Sequence, residues 1–117
     1  MVAEPLVTIA IPNWNGRRHL ERCLPAVQAL RGVTFETIVV DNGSTDGSRE
    51  LVRARFPWVR LIANPQNLGF ARANNLALRE ILTQAAKESR LDKDYVLLLN
   101  SDCFVEPDAL RLLARFL

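Results

Sequence analysis

Apolar runs of β type alternate with amphipathic helical patterns along the whole chain. Residues 6–11 form a Val/Ile-rich run closed by Pro12, the mark of a buried strand. Residues 17–30 place Leu20, Cys23, Leu24, Val27 and Leu30 on one helical face. Pro25 lacks the N–H that would bond the carbonyl of Glu21, so a kink or an early end is expected there. Residues 35–40 read as a second strand, and residues 47–56 as a short helix capped by Asp46 or Thr45. A shorter strand follows at 59–63. Residues 69–88 then make a long helix carrying Phe70, Ala73, Ala77, Ile81 and Leu82. Residues 95–99 are apolar at every position, as in a parallel strand covered on both faces. Pro107 suits the first turn of a last helix, with Leu110, Leu113 and Phe116 or Leu117 facing inward.

Strand and helix thus alternate four times. Regular alternation with helix-length crossovers predicts an α/β fold, a Rossmann-like parallel sheet with helices on both faces. At 117 residues the chain has room for one domain, and no repeat, linker or low-complexity segment divides it.

In an open parallel sheet, ligands bind outside the carboxyl ends of the strands. Strand one leads into Pro12, Asn13, Trp14, Asn15 and Gly16. Strand two leads into Asp41, Asn42, Gly43, Ser44, Thr45 and Asp46. Strand three leads into residues 64–69, and strand four into Asn100, Ser101 and Asp102. All four loops are polar, acidic or glycine-containing, whereas the amino ends of the strands carry no comparable pattern. Turn chemistry alone enriches Asn, Asp and Gly in any one loop. Four such loops on one edge point to a site. For Pro12 and Asp102 to approach one ligand, strands one and four must be neighbours, which predicts the spatial order 3-2-1-4.

The usual phosphate motifs are absent. No G-x-G-x-x-G follows strand one and no G-x-x-x-x-G-K-[ST] occurs, which argues against dinucleotide oxidoreductases and P-loop enzymes. A phosphoryl-accepting signalling domain would want an acidic pair where Pro12 and Asn13 stand. A sugar-nucleotide pyrophosphorylase would want a basic, glycine-rich first loop. Without an Arg/Lys cradle, a diphosphate needs its charge met by a hard divalent cation held on a carboxylate and completed by phosphate oxygens. Asp102 is the carboxylate best placed to hold it. Asp41 ends a buried strand and must find partners there. It either accepts hydrogen bonds from a base or sugar, or ties its own turn through Asn42 and Gly43.

Charge adds little. The net charge is +2 and the basic residues are dispersed, so they read as solvated helix faces and not as a nucleic-acid surface. Cys23 and Cys103 have no C-x-x-C spacing and read as reduced, packed thiols. No apolar run reaches the ~20 residues of a membrane span, and the first residues lack the basic start of a signal peptide. A cytoplasmic protein is the expectation, peripheral to the inner face of the membrane if a further part anchors it.

Taken together, the loops resemble the family 2 glycosyltransferases, inverting enzymes of the GT-A fold. The resemblance lies in residues 11–16 with Cys23 and Leu24, in residues 39–48, in residues 67–75 and in residues 97–102. The Asp-Asn-Gly-Ser and Asn-x-Asp variants are similar to the rhamnosyltransferase-like branch. The resemblance implies the N-terminal half of a GT-A fold that binds a nucleotide diphosphate sugar with Mg²⁺ or Mn²⁺. Pro12 and Asn15 would line the base pocket, and Asp41 would contact base or ribose. Arg72 and Asn75 would border base or diphosphate, Asn100 would meet a ribose hydroxyl, and Asp102 would hold the metal. Family members continue into an acceptor-binding half, with a catalytic Asp or Glu and a saccharide or lipid-linked acceptor. No such base is found in this chain, which by itself is expected not to transfer sugar. A non-catalytic nucleotide or nucleotide-sugar binding module is the alternative. The unfinished sheet edge would also offer a surface for a homodimer.

Overall fold

The structure, a computed structural model, describes residues 6–88 and 94–115. Its elements run β1 (Leu6–Asn13), α1 (Arg17–Gln28), β2 (Thr34–Asn42), α2 (Ser48–Arg55), β3 (Arg60–Asn64), α3 (Phe70–Lys87), β4 (Tyr95–Leu98) and α4 (Ala109–Ala114). The four strands form one sheet in the order β3-β2-β1-β4. Every pairing is parallel, with Asn13 opposite Asp41, Ala10 opposite Leu98, and Asn42 opposite Asn64. The alternation of motifs and the expected strand order are both present.

Side-chain alternation along β1 and β2 divides the core in two. Ile9, Ile11 and Val39 join Leu20, Cys23, Leu24 and Val27 of α1, Leu51 and Val52 of α2, and Leu110 of α4. On the opposite face Ala10, Ile38 and Val40 meet Ala73, Ala77 and Ile81 of α3. The two alanines bring the α3 backbone close to the sheet.

Several expectations give way to packing. β1 runs through Pro12 to Asn13. Ala10 offers its carbonyl to the Leu99 N–H, so even-numbered residues of β1 turn their backbone towards β4. β4 has ended by the level of Pro12, so the missing N–H of Pro12 forfeits no ladder bond. α1 likewise passes Pro25 and ends at Gln28, two residues short of Leu30. Pro25 is exposed, so the freed Glu21 carbonyl can bond water.

β4 is covered on one face only. Tyr95 and Leu97 pack against the larger cluster, while Val96 and Leu98 are exposed. A single helix about 10 Å wide spans about two strands at ~4.8 Å spacing, and α3 lies over β1 and β2. Phe70 and Leu82, expected in the core, are also exposed, as is Leu113 of α4. Phe116 and Leu117 lie outside the described residues. Cys23 is buried, and burial, followed by nearby Cys103 and Asp102, pushes its thiol up to about 11. Cys103 is exposed, contrary to the expectation of a packed thiol. Both are free. No described helix is long and apolar enough to cross a membrane.

Candidate functional site

At the carboxyl edge of the sheet the first two loops are tied by a hydrogen-bond frame centred on Asp41. Its carboxylate is 1% exposed and accepts from the Ser44 N–H at 3.0 Å, the Ser44 hydroxyl at 2.6 Å and Asn13 Nδ2 at 2.9 Å. Arg49 Nε stands 3.6 Å from its other side. Asn15 continues the frame. Its N–H donates to Ser44 Oγ at 2.9 Å and its Oδ1 accepts from the Thr45 N–H at 2.8 Å. Asn15 does this with φ at +50°, a left-handed geometry in which Asn is among the tolerated residues. The structure therefore shows the turn-tying role of Asp41, made through Ser44 and not through Asn42 and Gly43.

Asp46 holds two helix starts at once. One carboxylate oxygen accepts the Arg17 N–H at the start of α1, and the other accepts the Ser48 N–H and hydroxyl at the start of α2. Burial pushes its pKa up, but the Ser48 hydroxyl and the backbone N–H groups of Arg17, Ser48 and Asp46 itself outweigh it, and the net shift is downward. The expected cap is not at the capping position, which Gly47 occupies without a side-chain bond; Asp46, one residue before it, accepts from Ser48 instead.

Asn42 performs the same service for the third loop. Its Nδ2 donates to the Gly69 carbonyl at 3.2 Å and its Oδ1 accepts from Asn64 Nδ2 at 3.1 Å. Asn67 Oδ1 accepts the Gly69 N–H at 2.8 Å, just ahead of α3, whose capping position Gly69 occupies without a side-chain bond. Gly43, at φ +75°, lets the Gln66 backbone pass at a distance no side chain would permit.

Between these loops lies a cleft of about 220 Å³ lined by Pro12, Asn13, Trp14, Asn42, Asn67, Gly69 and Phe70. Trp14 and Phe70 present their rings to solvent beside it. A second hollow, of about 250 Å³, runs along α3 and is lined by Leu68, Arg72, Asn75, Leu76 and Arg79. The edge thus brings Pro12, Asn15 and Asp41 together, and places Arg72 and Asn75 in a separate hollow. Asn100 and Asp102 are exposed at the end of β4. This last turn adjoins the first loop, because a Cβ placed on Gly16 would lie 3.0 Å from Ser101 Oγ. Arg22 of α1 stacks over Phe104 at 4.3 Å just beyond it.

Among the described residues no cluster of three or more His, Cys, Asp or Glu could form a protein-built metal cage. Asp41 is spent on its turn, whereas Asp102, in the turn after β4, is open to solvent. That donor set fits a hard divalent ion carried mainly by a ligand's phosphates and water, with one protein carboxylate.

Sequence reasoning passed over Asn13, Asn42 and Ser44 as individuals, because buried polar residues in a turn resemble exposed ones in a string of letters. It assigned Phe70 to the core because its spacing is helical. Asn74 of α3 is buried with an unpartnered Oδ1, and its neighbour Asn75 lines the α3 hollow.

The sequence matches the family described as Glycosyl transferase family 2 over residues 8–117. This chain belongs to that family. Among the relatives of this family 2 chain is the N-acetylglucosaminyl-diphospho-decaprenol L-rhamnosyltransferase of Mycobacterium tuberculosis, 33% identical over 103 residues, which are 86% of this chain and 33% of the relative. Staphylococcus aureus TarS 1-349 in complex with UDP-GlcNAc superposes with a TM-score of 0.76 at 21% identity, over 94% of this chain and 30% of that one. The mannosyltransferase PcManGT of Pyrobaculum calidifontis, in complex with GDP-Man and Mn²⁺, gives a TM-score of 0.73 at 25% identity, over 92% of this chain and 31% of that one. The family 2 chain therefore has the GT-A transferase architecture and spans about a third of the length of these proteins.

Proposed function

We propose that this chain is the donor-binding part of an inverting glycosyltransferase, holding a nucleotide diphosphate sugar and a divalent cation at the carboxyl edge of its sheet. The observation that carries this reading is the convergence of a pre-tied Asn13–Asp41–Ser44–Asn15 frame, an open cleft and an exposed Asp102 on one edge. Two structural neighbours described with UDP-GlcNAc or with GDP-Man and Mn²⁺ support the ligand class. In this reading Pro12 and Asn15 border the base, and Asp41 fixes the loop that meets base or ribose. Arg72 and Asn75 take a more distant part of the ligand from the α3 hollow, Asn100 meets a ribose hydroxyl, and Asp102 holds the metal. When bound, the metal neutralises the diphosphate, the leaving group in the transfer. The acceptor, a saccharide or lipid-linked sugar, belongs to the whole protein, at the cytoplasmic face of a membrane.

Titration calorimetry with UDP and GDP, with and without Mn²⁺, tests the reading. Asp102→Ala should abolish the metal-dependent gain in affinity, and Asn100→Ala should weaken nucleotide binding with that gain retained. An undiminished metal effect in Asp102→Ala removes Asp102 from the role.

A second reading, a binding module without turnover, has one observation in its favour. Asp108, a carboxylate beyond the Asp102 turn, is held by Arg31 at 3.0 Å and by Arg111 at 3.4 Å. The hydrogen bond from Arg31 lowers its pKa, so it is a poorer base than a free carboxylate. Incubation with donor sugars and an acceptor panel, read by mass spectrometry, separates the two readings through the presence or absence of transferred product.

A further inference from the structure

Asn13 is 2% exposed and half of its amide is fully used, with Nδ2 donating to Asp41 and, at 3.3 Å, to Ser44. Its Oδ1 is buried and accepts nothing. A buried amide carbonyl without a donor is costly and calls for a physical explanation, of which a bond made in another state of the protein is one. The position of this one is given by Gly16. A Cβ built there would overlap Asn13 Oδ1 and lie 3.0 Å from Ser101 Oγ. An orphaned acceptor and a hydroxyl donor thus flank one point, and the residue between them has no side chain to keep them apart. Ser101 makes no side-chain hydrogen bond of its own among the described residues.

We infer that Ser101 is a positioning residue, whose hydroxyl donates to Asn13 Oδ1 when nucleotide occupies the carboxyl edge. The inference rests on the donor-binding reading of that edge. Asn100 and Asp102, on either side of Ser101, are exposed, whereas Ser101 turns inward to Gly16. The turn is joined to β1 by the Leu99 N–H to Ala10 carbonyl bond and closed by Cys103 N–H to the Asn100 carbonyl. Asn13 Oδ1 and Ser101 Oγ both lie within 3.0 Å of the one point a Gly16 Cβ would occupy, so a modest shift of this turn brings them into hydrogen-bond range. Once Asn100 and Asp102 engage a ligand that also touches the first loop, the turn is drawn towards Asn13. The hydroxyl then completes a chain from Ser101 through Asn13 to Asp41, locking the metal-bearing turn to the rigid frame. Gly16 is required here for closeness, since any side chain would fill the space in which the bond forms.

The test uses Ser101→Ala and Ser101→Thr, with UDP and GDP in the presence of Mg²⁺ as probes. Thermal melting of the free proteins should be the same for wild type and both variants, because the bond is absent without ligand. Calorimetric affinity should fall by about 3- to 10-fold in Ser101→Ala, the worth of one neutral hydrogen bond, and return in Ser101→Thr. In NMR spectra of wild type, the Asn13 side-chain amide signals should move on saturation with nucleotide, and in Ser101→Ala they should stay. Wild-type affinity in Ser101→Ala overturns the inference and leaves the donor site standing. So does a lowered melting temperature of free Ser101→Ala with unchanged affinity, which makes Ser101 merely structural. Failure of the wild-type chain to bind either nucleotide overturns the donor reading and this inference together.

Discussion

In an Asp41→Asn variant the side chain keeps its shape and loses one acceptor and its charge. The carboxylate serves two sets of donors, Asn13 Nδ2 and the Ser44 hydroxyl on Oδ1, and the Ser44 N–H with Arg49 on Oδ2. An amide can keep only one set. With its oxygen towards the Ser44 N–H, the new NH₂ faces Asn13 Nδ2, donor against donor, and the Ser44 hydroxyl can rotate to accept. The net loss is one buried hydrogen bond to a charged acceptor, about 1.5–3 kcal/mol. The Arg49 pair adds about 0–1 kcal/mol, because its side chain is one-third exposed, its separation is 3.6 Å, and solvent screens it. A total of about 1.5–4 kcal/mol corresponds to a fall in melting temperature of about 5–20 °C for a domain of this size. Thermal and urea unfolding followed by circular dichroism measure it, with nucleotide titration of the folded variant alongside. A melting temperature within about 2 °C of wild type, with affinity reduced, would refute the reasoning and return Asp41 to direct ligand contact.

Two glycines separate clash from strain. Gly43→Ala puts a Cβ 2.6 Å from the Gln66 Cα and 2.8 Å from its carbonyl carbon at φ +75°, so stability should fall by more than the ~1–2 kcal/mol of left-handed backbone alone. Gly69→Ala, at φ +86° with nothing within 4 Å, should show only backbone strain, about 1–3 kcal/mol, and equal losses in urea melts would contradict the close approach. Acid should also destabilise the fold through Asp46 and Asp108. Both have folded pKa values below the ordinary 3.8, so the stability they contribute is full above that pH and is lost as pH falls through the lower folded values. Asp46→Asn should flatten the acid limb of a stability–pH profile, and an unchanged limb would deny Asp46 its hold on the two helices.

The sequence by itself determined the alternation of elements, the parallel sheet and the edge at which the polar loops gather. These follow from hydrophobic period and from loop composition, both of which are local. The order 3-2-1-4 was also legible, because loops one and four had to meet over one ligand. Tertiary structure decided which polar residues are spent and which are free. Asp41 and Asp102 look alike as acidic residues just past buried strands, yet one is enclosed by donors from β1 and its own turn while the other is open to solvent. The same holds for Asn13, whose partners lie 28 and 31 residues away. It also holds for Val96, where apolar character promised burial and the reach of a single helix left it exposed, and for Phe70, which stands at the first turn of α3 beside the cleft. Burial and hydrogen-bond satisfaction depend on neighbours distant in the chain, so composition and spacing locate a site but do not show which of its side chains remain available to a ligand.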